Sequence, residues 1–299
     1  MILGIKIDVD TERGTRIGVP NLLSMLKELN VPATFLFSLG PDNTGRAIQR
    51  VFRRGFLKKV SRTSVVSTYG LRTLMNGVLL PGPHIGKRHG TIMRQVKEAG
   101  FEVGIHAYDH QRWQDGVVRM SQEQIDTEFA KALREFQSIF ASNAQTAGAP
   151  GWQANSKTLA TYDRANLLYA SDCRGQYPFF PKIENQTFKT LQLPTTLPTL
   201  DELIGNPQIP QDKLAEHYLS LLSSQHPNIM TIHAELEGMK YFAWFLEFIV
   251  TLQKHNVTCK TLRDIAQECL QNKTQIPVCQ MQQGEVEGRS GLIAVQDCS

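Results

Sequence analysis

The first ten residues, Met-Ile-Leu-Gly-Ile-Lys-Ile-Asp-Val-Asp, constrain the fold more than any other stretch. Ile2, Leu3, Ile5, Ile7 and Val9 are apolar and mostly β-branched, the composition of a buried strand. The run ends in Asp8 and Asp10, one residue apart. Side chains alternate faces along a strand, so both carboxylates point the same way if the strand persists that far. Two like charges side by side on an apolar strand are costly unless something binds them. A metal, a proton-accepting role, or both would account for the pair.

The rest of the chain alternates strand and helix signals. Strands are expected at residues 33–38, 101–105, near 146, at 167–170, 228–233 and 257–260. Helices are expected at 19–29, 85–99, 121–140, 156–165, 212–223, 240–255 and 261–271. The helix at 121–140 has the clearest start, because Ser121 and Gln124 form a capping-box signature. No period is visible in the tail beyond residue 275. Alternating strands and helices predict an α/β fold with a parallel sheet, either a barrel or a doubly wound sheet. Asp8, Asp10, His106 and His233 all fall at predicted C-terminal strand ends, the rim on which parallel barrels build their sites.

Composition narrows the setting. With 41% hydrophobic and 20% charged residues among 299, the chain reads as an ordinary globular protein. Its longest apolar run, residues 242–252, is interrupted by Glu247 and is too short to cross a membrane. The candidate active-site strand starts at residue 2, which leaves no room for a removable leader and predicts a cytoplasmic location. The five cysteines (Cys173, Cys259, Cys269, Cys279 and Cys298) form no CxxC pair and are expected to be free thiols.

His106 and His110 form an HxxxH pair just past a predicted strand. One helical turn or a tight loop would aim both imidazoles at one point, where neutral imidazole binds zinc and related ions. Two His and one Asp make a three-ligand set with an open position, the catalytic rather than the structural pattern. Asp8 or Asp10 supplies the third ligand, and the other is free to act as a base. The plainer alternative is that His106 and His110 are hydrogen-bonded loop histidines and His233 a strand-end histidine bonded to a backbone carbonyl. Asp172, Arg174 and Glu235 would then be ordinary salt-bridge partners.

Five segments in order tip this balance: Ile7-Asp-Val-Asp10, Gly100-Phe-Glu-Val-Gly-Ile-His106 through His110, Gly148-Ala-Pro-Gly-Trp152, Ser171-Asp172 and Ile232-His233. Together they resemble the motifs of polysaccharide deacetylases of the NodB-homology type, across nearly the whole chain. The resemblance implies a distorted (β/α) barrel of about seven strands spanning residues 1–275. It implies one divalent metal held by Asp10, His106 and His110, with Asp8 as general base and His233 as general acid. Zinc suits the ligand set best, while cobalt, nickel, manganese or iron also fit. A backbone N–H near Gly151 is implied at the developing oxyanion and Glu235 and Glu237 near sugar hydroxyls, while Trp152 either stacks on sugar, lines the acyl pocket or belongs to the core. The family usually carries an arginine where this chain has Gly148. Arg174, beside Asp172, is the expected replacement cation.

Further segments, among them Ser171-Asp-Cys-Arg-Gly175 and Ile232-His-Ala-Glu-Leu-Glu-Gly238, narrow the resemblance. They are similar to the branch that deformylates undecaprenyl-phosphate-linked 4-deoxy-4-formamido-L-arabinose in lipid A modification and polymyxin resistance. A lipid-linked substrate gives meaning to a charge asymmetry. Residues 43–97 hold twelve of the 32 Lys+Arg and no Asp or Glu, leaving 20 basic against 28 acidic residues elsewhere. Within 45–62, Ile48, Val51, Phe52, Phe56 and Val60 recur at helical spacing beside Arg46, Arg50, Arg53, Arg54, Lys58 and Lys59. A basic amphipathic helix of this kind lies on an anionic membrane surface or meets a substrate phosphate, the plainer alternative being a solvated basic helix packed on the barrel. The insertion therefore predicts a peripheral position on the inner membrane, with the tail at 276–299 packed on or near the catalytic domain. No nucleic-acid motif accompanies the basic stretch, and no nucleic-acid partner is expected. Two alternatives stand beside this reading: a deacetylase of another glycan, and a catalytically inactive lipid-binding protein of the same fold.

Overall fold

Strand β1 (Ile2–Val9) is the axis of the molecule, and every residue from Leu3 to Val9 is buried. The computed structural model describes residues 1–46, 73, 75–204, 206–289 and 291–298. Along one edge β1 pairs in parallel with β9 (Asn228–His233). Its other edge is shared: β10 (Thr258–Lys260) pairs with the first half and β2 (Thr34–Ser38) with the second. From β2 the sheet continues through β3 (Glu102–Ala107), β4 (Thr146–Ala147), β5 (Tyr169–Ala170) and β8 (Leu191–Gln192), each pair parallel. The sheet curls into a half-barrel, the form implied by the family resemblance and one of the two that the strand–helix pattern leaves open. Beyond β8, Thr196 donates its backbone N–H to Ile229 O of β9 at 3.0 Å, tying the far edge back to the centre.

Helices cover the outer face. They are α1 (Val19–Glu28), α2 (Ile85–Glu98), α3 (His110–Gly116), α4 (Gln122–Phe140), α5 (Ser156–Arg164), α6 (Leu200–Leu203), α7 (Leu214–Leu221), α8 (Phe242–Lys254) and α9 (Leu262–Gln271). Ser121 caps α4 in the full capping box with Gln124, as expected, and α4 ends at Ala141 in a left-handed conformation. Ile5, Ile7 and Val9 point outward into a continuous apolar core with Leu22, Phe129, Phe136, Phe245 and Phe248. The alternate residues Lys6 and Asp8 consequently point into the barrel, and both are buried. Among the described residues, no helix is long and apolar enough to cross a membrane.

The C-terminal segment is more ordered than its sequence suggests. β11 (Val278–Gly284) and β12 (Ile293–Asp297) form an antiparallel hairpin, and β11 adds in parallel to β6 (Phe180–Ile183), which also pairs with β7 (Gln186–Thr187). Cys279, Met281 and Ala294 from this hairpin share a second small core with Phe179, Phe188 and Cys173. The expectation of five free thiols needs correction, because Cys279 and Cys298 are joined in a disulfide. The hairpin brings positions 19 apart in sequence within bonding reach, a proximity that spacing alone does not reveal. The basic amphipathic helix expected over 45–62, with Arg50, Arg53, Arg54, Lys58 and Lys59, lies outside the described residues apart from its first two positions. Arg46 is exposed and donates to Gly77 O at 3.1 Å.

Candidate active site

Three strand ends deliver the predicted residues to one rim. Asp8 is the penultimate residue of β1, and Asp10 follows the strand directly. Glu235 holds the turn in place: its Oε1 accepts from Asp10 N at 3.2 Å, Thr11 N at 2.9 Å and Thr11 Oγ1 at 2.7 Å. His106 lies in β3 at a bulge, since Phe37 pairs with Ile105 and Ser38 with Ala107. The extra residue in β3 re-aims the His106 side chain, a common use of bulges beside functional sites. Asp109 then caps α3 by accepting from Arg112 N at 3.0 Å, and His110 begins the helix. The two imidazole centroids come within 5.1 Å of each other.

Asp10 Oδ1 is 3.2 Å from His106 Nε2 and 3.5 Å from His110 Nε2. One ligand atom from each of the three residues falls within 4.8 Å of the other two. The tautomer of His106 follows from its other nitrogen. Nδ1 lies 2.8 Å from Gly148 O, and a carbonyl only accepts, so Nδ1 carries the proton. Nε2 is left to face a carboxylate oxygen. Positive charge belongs between that oxygen and Nε2: either a second proton on His106, whose protonated form Asp8 and Asp10 favour, or a cation. A divalent cation shared by three donors fits this arrangement.

The local field is one that attracts positive charge. Burial would raise the Asp10 carboxyl, but His110, His106 and His233 outweigh it and hold it well below the usual carboxylate range. Burial lowers His110, which keeps it neutral and fit to bind a metal. His106 and His233 are raised despite their burial. Asp8 and Asp10 act on the first, and Asp10, Asp201, Asp8 and Glu237 on the second.

The remaining predicted residues occupy distinct places. Asp172 is fully buried, accepts from Ala149 N at 2.7 Å and from Gln192 Nε2 at 2.9 Å, and is pushed up by burial to about 6. Arg174 forks onto Glu202 at 2.7 and 2.9 Å and lies over the Trp152 ring at 5.3 Å. The cation beside Asp8 is instead Lys6, which sequence reasoning missed; its Nζ is 3.5 Å from Asp8 Oδ2. The available signal was parity, since Lys6 shares a strand face with Asp8 and Asp10. Gly151 adopts φ 58° in the turn Pro150–Trp152. Trp152 is only 3% exposed and donates Nε1–H to Thr195 Oγ1 at 3.1 Å. Glu237 is fully buried and its Oε2 accepts from His233 N at 2.9 Å, so Glu235 and Glu237 both spend one oxygen on the backbone of the site.

Fold and rim together define a class: half-barrel α/β proteins with polar residues gathered at the C-terminal ends of parallel strands. The polysaccharide deacetylase family model matches residues 10–170. The chain belongs to that family and is a hydrolase acting on an amide C–N bond. A protein of Shewanella sediminis (strain HAW-EB3), described as a probable 4-deoxy-4-formamido-L-arabinose-phosphoundecaprenol deformylase ArnD, is 35% identical over 294 residues, covering 98% of this chain and 94% of its own. A protein of Wigglesworthia glossinidia brevipalpis with the same description is 35% identical over 287 residues, covering 95% of this chain and 98% of its own. Among solved structures, one described as a polysaccharide deacetylase from Mycobacterium smegmatis superposes with a TM-score of 0.62 at 17% identity, over 91% of each chain. That last likeness concerns the fold.

Proposed function

We propose that this protein is a metal-dependent deformylase that hydrolyses the formamide of undecaprenyl-phosphate-linked 4-deoxy-4-formamido-L-arabinose to the free amino sugar and formate. The observation that carries the reading is the convergence of Asp10, His106 and His110 beside Asp8 and His233, in a chain similar over nearly its whole length to relatives described as such deformylases. Asp10, His106 and His110 would hold the ion, which supplies Lewis acidity, making water more acidic and polarising a carbonyl. Asp8 accepts the proton from the attacking water. His233, raised by the surrounding carboxylates, donates a proton to the departing amine. A backbone N–H near Gly151 assists the developing oxyanion. Glu235 and Glu237 act from behind the reacting groups, each spending one oxygen on the backbone of the site. The basic segment that includes Arg46 would bring the protein to an anionic membrane surface and its lipid-linked substrate. In the cell this reaction belongs to lipid A modification with aminoarabinose and polymyxin resistance.

The test is formate release from the lipid-linked formamido sugar, with and without a chelator. Chelator-sensitive release supports the proposal. Acetate release from an N-acetylated glycan with no formate release would move the protein to another deacetylase activity.

A further inference from the structure

Lys6 precedes Asp8 by two residues on β1, so strand alternation puts both on the face that looks into the barrel. Its side chain has no solvent exposure. A buried ammonium is costly unless its charge and donors are met. Here Nζ donates to Ser171 O at 3.3 Å, across the barrel, and pairs with Asp8 Oδ2 at 3.5 Å. The Trp152 ring lies 5.6 Å from the same atom, and the Lys6 charge also acts on buried Asp172. Asp8 is thereby divided. Oδ2 is engaged by the ammonium, while buried Oδ1 accepts no hydrogen bond from described residues and lies 3.9 Å from His106 Nδ1.

Gly148 makes room for this arrangement. A Cβ at that position would stand 2.6 Å from Leu36 Cδ1, 3.1 Å from Ser171 O and 3.7 Å from Lys6 Nζ. The ammonium therefore occupies the space that a long side chain at position 148 would enter.

We propose that Lys6 is the positioning residue for Asp8: its ammonium fixes Oδ2 so that Oδ1 is presented to the reacting water. This rests on the reading of Asp8 as the base. It also assigns the cation for the site to the opening strand rather than to Arg174, whose guanidinium is committed to Glu202.

The experiment compares formate release, bound metal and thermal midpoint for wild type, Lys6→Met, Lys6→Arg and the double variant Lys6→Met/Gly148→Arg. Lys6→Met is expected to lower kcat by about 10²-fold, the scale of a misplaced general base, with KM and metal content unchanged. A cation restored by Lys6→Arg, or delivered from position 148 in the double variant, is expected to recover at least about tenfold of that loss. Wild-type kcat in Lys6→Met overturns the proposal. So does a fall in kcat, metal content and thermal midpoint together that neither cation-bearing variant recovers, since that is the signature of a packing role. If wild type releases acetate from an N-acetylated glycan instead of formate, the substrate reading fails, and the same variants measured on that activity still test Lys6.

Discussion

Asp8 and His233 are register partners on adjacent parallel strands, β1 and β9. The pairing puts a carboxylate and an imidazole side by side on one rim, with Ala234 N donating to Asp8 O at 3.0 Å just beyond. Their environments differ: Asp8 faces Lys6, whereas His233 is pushed up by Asp10, Asp201, Asp8 and Glu237 against the effect of burial. A carboxylate and an imidazole held in fixed register suit the proposed reaction, in which one proton is taken from water and another delivered to an amine. Asp8→Asn and His233→Gln should each lower kcat by about 10²–10⁴-fold while metal content stays at the wild-type level. The double variant should lose less than the product of the two, because the residues serve one reaction. Single-turnover kinetics with metal analysis reads both. Metal loss in Asp8→Asn would instead make Asp8 a ligand.

The bond from His106 Nδ1 to Gly148 O fixes which nitrogen faces Asp10. His106→Ala should therefore reduce metal affinity by more than about 100-fold, beyond the 10–100-fold typical of losing an outer contact. Chelation of the wild type should abolish turnover, and re-addition of a divalent ion should restore it. Competition titration against a chromophoric chelator measures the first. An unchanged affinity in His106→Ala would remove His106 from the ligand set.

Glu235 accepts three hydrogen bonds at one oxygen from Asp10 and Thr11, and it packs so closely on Gly14 that a Cβ there would collide with it. The Asp10 turn is thus tied to the loop after β9. Glu235→Ala should weaken metal binding by about 10–100-fold, as loss of an orienting contact does. Glu235→Gln keeps a carbonyl oxygen in the same place and should stay much nearer to wild type. Equal metal affinities in the two variants would argue that the carboxylate does not orient Asp10.

Much of this site was legible in the sequence because strand ends are. Apolar runs closing on Asp8, His106 and His233 mark the rim of a parallel sheet, and the HxxxH spacing fits one strand end plus one helix start. Lys6 was hidden by its neighbours: between Ile5 and Ile7 it reads as an interruption of a buried strand, and its partner Ser171 is 165 residues away. The bulge at His106 leaves no sequence mark, since it arises from how β2 and β3 align. In the C-terminal hairpin the signal was present but faint. Cys279 and Met281 are buried while Val278, Gln280 and Gln282 are exposed, a period of two carried by few apolar residues. Arg174 lay near Asp172 in sequence, but it faces Glu202 in space, because that contact depends on where α6 packs.

The disulfide between Cys279 and Cys298 closes the β11–β12 hairpin over a separation of 19 residues. Loop-closure entropy for such a ring corresponds to about 3 kcal/mol in the chain-entropy model. Reduction, or Cys298→Ser, should lower the thermal midpoint and expose the small core around Phe179 and Phe188. Differential scanning calorimetry with and without reductant tests this. Identical midpoints, with free-thiol titration showing both cysteines reduced in the native protein, would mean that the hairpin is held by packing alone.

Glu237 carries a pH signature of its own. Burial is the main cause of its shift, and it lifts the carboxyl from the usual 4.5 to about 7, against the pull of His233. The folded protein therefore binds this proton more tightly than the unfolded chain does. Stability from Glu237 is fully present below pH 4.5, falls as pH rises towards 7, and is level above that. The loss is on the order of a few kcal/mol for a buried carboxyl shifted this far. Glu237→Gln retains an acceptor for His233 N without the ionisation, so its stability should lack this slope. Urea unfolding of both proteins at several pH values between 4.5 and 8 gives the comparison. His233, which the Glu237 carboxylate helps to raise, shifts in the variant as well, so its titration is followed alongside. The gap between variant and wild type should widen with pH in favour of Glu237→Gln. Two parallel curves would show that the Glu237 carboxylate is tolerated in its buried place.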